Sequence, residues 1–161
     1  MSTAEPFFDS DAVRWREVEG DVFSRVHYVR HDYTILAHDA EAGTLDMLIR
    51  WRDDGGHCPL HRHTAATTSV FVLEGEQHVQ DILPDGTLAP VKVRKAGDYA
   101  LLPKDALAHL EGGGPNGGLA FFGCHTHDGR LYELVDDDGE TLVDITIDFL
   151  VADFAAAAPD V

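Results

Sequence analysis

The chain has 161 residues, of which 12 are Lys or Arg and 29 are Asp or Glu, so its formal net charge is −17 at pH 7. This excess of negative charge repels phosphate backbones and anionic lipids, so we expect neither nucleic acid nor a membrane as a partner. The length is typical of one domain, and no segment approaches the roughly 18 apolar residues of a membrane span.

Short strands separated by turn residues are predicted along most of the chain. In chain order they cover 22–29, 33–39, 44–51, 68–75, 76–83, 88–94, 99–103, 118–125, 131–136 and 144–151. Turns are predicted at 74–75, 84–86, 96–98, 136–140 and in the glycine-rich segment 112–118. Helical periodicity is scarce, although the Ala-rich end of the chain could add one helical turn. The pattern favours an all-β sandwich or barrel, a single domain over 1–161 with loosely held ends at 1–12 and 155–161.

Two features bear on the cellular compartment. Cys58 and Cys124 are the two cysteines of the chain, too few for a disulfide framework and typical of a reducing environment. The first residues show neither the basic nor the apolar segment of a signal peptide. We therefore expect a soluble, cytoplasmic protein.

A histidine cluster lies in the segment GGHCPLHRH, where His61 and His63 are two positions apart. Because side chains alternate along an extended segment, both imidazoles point to one face, about 7 Å apart along the strand. Neutral imidazoles are the usual ligands of zinc, iron, nickel and copper, but a tight site needs a third ligand from elsewhere. The pair alone is also compatible with surface histidines at a chance spacing.

The surrounding spacing resembles the two sequence motifs of the cupin family, one over 55–75 and one over 97–109. The matching positions are Gly55, His61, His63, Gly75, Gly97, Pro103 and His109. The resemblance spans 43–126. It implies a small antiparallel jelly-roll barrel whose mouth binds one metal ion.

Two departures from the cupin pattern affect the expected ligands. Thr68 stands where the first motif usually has its glutamate, and Asp105 stands where the second motif usually has a glycine, with His109 one position late. A bulge or a longer turn could absorb that extra residue. We expect a metal site of three neutral imidazoles, His61, His63 and His109, without a carboxylate. Thr68 is also a catalytic candidate, because its hydroxyl could hydrogen-bond a ligand from behind. The alternative is that Thr68 only fills space in the barrel.

Four other histidines are weaker candidates for the site. His57 could replace a ligand, and His78, just past Gly75, could point into the same barrel. His125 and His127 repeat the two-residue spacing and could form part of the pocket wall. Each is also compatible with an ordinary polar residue at a strand end.

Among three-histidine cupins, the chain most resembles the dioxygenases that cleave 2,4'-dihydroxyacetophenone, and more distantly those that cleave acetylacetone. The segments DAEAGTLDMLIRW and LAFFGCHTHDGRLYELVDDDGE carry this resemblance. It implies a non-haem Fe(II) dioxygenase that cleaves a carbon–carbon bond next to a carbonyl in a diketone or hydroxyketone, although Zn, Ni or Mn could occupy the same ligands. Three neutral imidazoles leave the ion its full charge, which favours an anionic substrate. The alternative is a metal- or ligand-sensing cupin related to the cupin half of zinc anti-sigma factors.

The expected partners are therefore a small carbonyl substrate and dioxygen. Alternate residues of 70–73 and 120–122 are expected to line an apolar pocket. A homodimer is also expected, because small cupins commonly pair edge strands to cover them.

Overall fold

The computed structural model describes residues 13–20 and 27–157. Strands dominate this part of the chain, and the predicted all-β class is confirmed. The elements are β1 (Arg16–Glu19), β2 (Arg30–Asp39), β3 (Thr44–Trp51), β4 (His61–His63), β5 (Thr67–Asp81), β6 (Lys92–Lys95), β7 (Tyr99–Leu102), β8 (His109–His125), β9 (Arg130–Val135), β10 (Thr141–Thr146) and α1 (Ile147–Ala156). Within the described residues no helix has the length and apolar character needed to cross a bilayer. The assignment of 1–161 to a single domain stays a prediction.

Strand β8 is the central strand of the curled sheet. The strand order is β1-β2-β3-β8-β4-β9-β10, and β5 pairs with β6, β7 and β8. Alternate residues of β3, β5 and β8 point inward and meet in cross-strand rows, such as Met47 and Val70 on either side of Phe122. The side chains of these three strands that belong to the main hydrophobic core are Leu45, Met47, Ile49, Trp51, Val70, Ala120, Phe122 and Cys124. This wall forms the apolar part of the barrel interior.

The two strands predicted at 68–75 and 76–83 are one bulged strand, β5, because β8 pairs with both halves. Register shifts occur between Val72 and Glu74 and between Gly75 and Gln77. The first shift adds one residue to β5 and reverses the alternation of its side chains, whereas the second adds three residues to β8. Thr68 and Val72 are buried before the bulges, whereas Gln77 is buried after them and His78 is only partly buried. The bulge in β5 thus places an amide side chain, that of Gln77, in the barrel interior.

The glycine-rich segment 112–118 is part of β8 rather than the predicted turn. Its glycines lack room for a side chain because atoms of neighbouring strands lie too close. A Cβ atom on Gly118 would be 2.1 Å from the carbonyl oxygen of Glu76, and one on Gly113 would be 2.7 Å from the Cβ of Trp51. The glycines allow β8 to pass close to its neighbours and to pair with both halves of β5, on either side of 114–117.

The predicted strand 144–151 is also wrong in its second half. Strand β10 ends at Thr146, which caps α1 by accepting a hydrogen bond from the backbone N–H of Phe149 at 3.1 Å. Ile147 and Leu150 are the buried residues of α1. Short apolar runs do not distinguish a strand from a buried helix by periodicity, and the cap residue decides the outcome here.

The ends of the chain complete the comparison with the predicted elements. Strand β1 was not predicted, and 22–26 of the predicted strand 22–29 lie outside the described residues, as do 1–12 and 158–161. Helix α1 includes the first part of the Ala-rich end.

Candidate metal centre

Strands β4 and β8 bring His61, His63 and His109 together. His61 is directly opposite His109 in the β4–β8 pair, and all three side chains are buried. One ligand atom from each residue lies within 4.8 Å of the others. The ring centroids of His61 and His109 are 4.4 Å apart. Small side-chain rotations would bring three such nitrogens to about 2.1 Å from a single ion.

The extra residue before His109 is accommodated in the turn that precedes β8. Asp105 has a φ of 63°, and within the described part of the chain every other residue with positive φ is a glycine. Asp105 therefore differs from the usual glycine of the second motif in its side chain but keeps the positive φ that a glycine readily adopts. Aspartate is among the residues that tolerate the left-handed region best.

Two backbone carbonyls determine which nitrogen each ligand presents. His61 Nδ1 is 2.7 Å from the carbonyl oxygen of Pro59, and His109 Nδ1 is 2.9 Å from that of Leu107. A carbonyl can only accept, so each Nδ1 must carry the hydrogen and donate it. Because a neutral imidazole has one N–H, the Nε2 atoms of His61 and His109 keep their lone pairs.

A hydroxyl performs the same role for His63. Its Nδ1 lies 3.3 Å from Thr68 Oγ1, and this hydroxyl can donate in turn to Cys124 Sγ at 3.8 Å. The Nε2 atoms of His63 and His109 are buried and have no hydrogen-bond partner. Three converging Nε2 lone pairs in a buried site are a ligand set that fits a divalent transition metal.

The site favours neutral imidazoles. Burial and the nearby charges of His61 and His109 lower the pKa of His63 to about 3. Burial, with the charge of His61, lowers the pKa of His109 to about 4. Both side chains are therefore neutral at pH 7, which is the state in which imidazole binds metals.

A carboxylate lies beside the three histidines, although the metal-capable group consists of the histidines alone, as expected. Glu111 follows His109 by two positions on β8 and shares its face, and only 2% of its surface is exposed. Glu111 Oε2 is 3.4 Å from His61 Nε2 and 3.8 Å from His109 Nε2. Burial would raise the pKa of Glu111, but the hydrogen bond and charge of His61, together with His109 and Gln77, lower it to about 2. The two-residue alternation used for His61 and His63 would have identified Glu111 from His109.

Gln77 and Arg94 extend this polar contact across the barrel wall. Gln77 Nε2 donates to Glu111 Oε1 at 2.5 Å, and Arg94 donates to Gln77 Oε1 at 2.9 Å. Gln77 is fully buried because the bulge between Val72 and Glu74 turns it inward. No sequence motif indicated this residue, since the bulge depends on the pairing of β5 with β8.

The centre borders a cavity of about 380 Å³. Its polar lining includes His61, His63, Thr68 and Glu111, and its apolar lining includes Met47, Ile49, Phe122 and Leu134. The exposed members of the lining belong to β1, β10 and α1, so the cavity opens between these elements. Of the segments expected to line the pocket, 120–122 contributes Phe122, whereas no residue of 70–73 belongs to the lining.

Within residues 13–20 and 27–157, the metal-capable group contains none of the four weaker candidates. His57 is half-buried, and its ring centroid lies 6.3 Å from that of His27. His78 faces away from the barrel interior and contacts Glu76 Oε2 at 2.7 Å. His125 and His127 are exposed.

Comparison with known proteins identifies the fold. No family model matches the chain, and no curated protein matches its sequence. A candidate acetylacetone dioxygenase from Methylibium petroleiphilum PM1 matches with a TM-score of 0.66 at 15% identity, over 94% of each chain. An acetylacetone dioxygenase from Acinetobacter johnsonii matches with a TM-score of 0.66 at 14% identity, over 98% of this chain and 96% of that one. A protein of unknown function with a cupin-like fold from Ralstonia eutropha JMP134 has a TM-score of 0.62 at 19% identity, over 79% and 72% of the two chains.

This chain has the cupin fold. At these identities the likeness concerns the fold alone. The jelly-roll barrel implied by the sequence motifs is confirmed, and the three-histidine cluster lies inside the cupin barrel.

Proposed function

We propose that this cupin is an Fe(II)-dependent dioxygenase that cleaves a carbon–carbon bond next to a carbonyl in a diketone or hydroxyketone. The observation that carries the proposal is the convergence of three Nε2 lone pairs at the edge of a largely apolar cavity. The likeness in fold to the acetylacetone dioxygenases supports the reaction class. In this proposal His61, His63 and His109 hold the iron.

The protein side chains would hold the site in a fixed arrangement. The Nδ1 hydrogen bonds of His61 and His109 orient both imidazoles, and Thr68 does so for His63. A bound Fe(II) would supply Lewis-acid polarisation of the carbonyl and redox chemistry with dioxygen. The cavity volume suits a small molecule. Its apolar wall, which includes Phe122 and Leu134, would limit the access of water to the reacting groups.

Oxygen consumption by iron-loaded protein tests the proposal. Protein loaded anaerobically with Fe(II) should consume oxygen when mixed with members of a panel of 1,3-diketones and hydroxyketones, with release of two carbonyl or carboxyl fragments. Zn(II)-loaded protein and a His61→Ala variant are the matched controls and should consume none. Tight binding of panel members without oxygen consumption would contradict the enzyme and favour the ligand-sensing alternative.

We also propose that the protein forms a homodimer through the outer face of β5 and β7. Phe71 and Tyr99 are directly opposite each other in this pair and are 41% and 60% exposed, and Leu101 nearby is 57% exposed. Exposed apolar side chains of this kind are typical of an interface. Light scattering of the wild type should give twice the chain mass, and Tyr99→Lys combined with Leu101→Glu should give a monomer. A monomeric wild type would contradict this proposal.

A further inference from the structure

We propose that Glu111 is a fourth protein ligand of the metal centre and that Gln77 and Arg94 hold it in position. The carboxylate would come from β8, two residues after His109, and not from position 68, where the first cupin motif usually supplies it. The inference rests on the proposed binding of a metal by the three histidines. It is independent of the proposed oxidation chemistry.

The first argument is that two acceptors face each other. His61 and His109 each use their single N–H on a backbone carbonyl, so their Nε2 atoms present lone pairs. Glu111 Oε2 lies 3.4 Å from one of these nitrogens and 3.8 Å from the other. A lone pair and a carboxylate oxygen repel each other at this distance unless a positive charge lies between them, either a metal ion or a proton on the imidazole.

The distances also suit neighbouring ligands of one ion. Nitrogen and oxygen ligands at about 2.1 Å from a metal lie about 3.0 to 3.4 Å apart when they are adjacent in octahedral or tetrahedral geometry. Oε2 is 3.4 Å from His61 Nε2, at the upper end of this range, and 3.8 Å from His109 Nε2, slightly above it. Glu111 would therefore need only a small movement to coordinate the ion with His61 and His109.

The second argument is that the charge on Glu111 has no lysine or arginine partner. Burial of an ionised carboxylate is costly unless a cation or several hydrogen bonds compensate it. Within the described residues, no lysine or arginine forms an ion pair with Glu111. Gln77 satisfies Oε1 alone, which leaves Oε2 directed at the histidines. A divalent ion would supply the missing positive charge.

The third argument is that the carboxylate is held from behind. Gln77 is fixed on its far side by Arg94, which is its direct neighbour in the β5–β6 pair. This arrangement leaves Oε1 occupied and Oε2 free, which is what a monodentate ligand requires. Thr68, by contrast, contacts the Nδ1 side of His63, away from the lone pair that would bind the metal.

Titration of metal-free protein with Co(II) tests the assignment, because Co(II) reports its ligands in its visible absorption spectrum and replaces Fe(II) without sensitivity to air. Wild type should bind one Co(II). Glu111→Gln keeps the size of the side chain and a hydrogen bond to Gln77 but loses the anionic ligand. We expect it to weaken Co(II) binding about tenfold or more and to change the spectrum. Glu76→Gln is the matched control, because Glu76 also contacts an imidazole, that of His78, outside the centre.

The outcomes separate the inference from the function on which it rests. Unchanged affinity and spectrum in Glu111→Gln, with tight binding by wild type, would overturn the fourth ligand and leave the three-histidine centre intact. Weaker binding with an unchanged spectrum would also overturn direct ligation. Failure of wild type to bind Co(II) would overturn the metal centre itself. Restored affinity in the double variant Thr68→Glu, Glu111→Gln would support the view that Glu111 replaces the usual glutamate.

If Glu111→Gln does not fold, Gln77→Met provides a second measurement. It removes the amide that holds Oε1 while leaving the carboxylate in place. We expect a loss of Co(II) affinity of a few-fold with the spectrum retained. Full affinity in Gln77→Met would overturn the positioning role of Gln77.

Discussion

The two ends of strand β8 are equally buried but differ in chemistry. His109 and Glu111 at its start are 3% and 2% exposed, and Phe122 near its end is 3% exposed. The start faces β4 and the half of β5 beyond the bulges, whereas the end faces β3 and the other half of β5. The apolar end stabilises the fold by burial alone. The polar end is stable only where each donor and acceptor has a partner, and its unpaired Nε2 atoms are the ones that a metal would use.

The largest expected effect separates the polar end from histidines elsewhere. His61→Ala, His63→Ala and His109→Ala should each abolish stoichiometric metal, because each removes one of three converging nitrogens. His125→Ala, which changes an exposed residue at the other end of β8, should retain it. Metal content per chain, measured after dialysis against a weak chelator, decides the matter. Full metal retention in His109→Ala would contradict the ligand assignment.

The opposite result is expected at the apolar end. Phe122 packs between Met47 and Val70 and edge-on to Trp51, with the ring centroids 6.4 Å apart. Phe122→Ala should lower the free energy of unfolding by about 3 to 5 kcal/mol, measured by urea denaturation. Metal content of the folded fraction should stay stoichiometric, because no ligand is changed. Loss of metal without loss of stability would show that the two ends are not separable in this way.

Some residues of the site could be predicted from the sequence because local patterns place them, whereas others depend on contacts with distant strands. The alternation that places His61 and His63 on one face is local, and the cupin spacing supplied His109. The same alternation points from His109 to Glu111, but the expectation of a carboxylate was tied to position 68, so Glu111 was missed. Local rules could not predict Gln77, because its inward direction depends on a bulge in β5 opposite a distant strand.

The fold was predictable to a similar extent. Strand β3 coincides with its prediction because Leu45, Met47, Ile49 and Trp51 recur at every second position. The segment 112–118 was predicted as a turn because its composition is typical of one. Only the close approach of Glu76 and Trp51 shows why a strand needs so many glycines there.

A smaller effect is expected from pH, and it reports on the polar end alone. Burial lowers the pKa of His63 to about 3, whereas an unfolded histidine titrates near 6.5. Between these values the unfolded state binds more protons, so the stability of metal-free protein should fall as pH falls from about 6.5 towards 3. Wild type should therefore lose about 2 kcal/mol more of its free energy of unfolding than His63→Gln does when the pH falls from 7 to 5.

Urea denaturation of both proteins at each pH measures this difference, and the general effects of net charge cancel in the comparison. His125→Gln, at an exposed position, should run parallel to wild type. A His63→Gln curve that also runs parallel to wild type would show that His63 is not held neutral by burial.

The smallest expected effect concerns Thr68, which is buried at the boundary between the two ends. Its Oγ1 is 3.3 Å from His63 Nδ1 and 3.8 Å from Cys124 Sγ, a residue of the apolar wall. If the hydroxyl accepts from Nδ1, it selects the tautomer whose Nε2 lone pair faces the other two histidines. Thr68→Val preserves the shape of the side chain but removes the acceptor. This should lower the free energy of unfolding by about 1 kcal/mol and reduce Co(II) affinity by up to about tenfold. Thr68→Ser retains the hydroxyl, and this variant should bind Co(II) as wild type does. The nitrogen chemical shifts of the His63 ring in metal-free protein report the tautomer directly. Unchanged shifts and affinity in Thr68→Val would reduce Thr68 to barrel filling, and the apolar wall would then extend up to His63 itself.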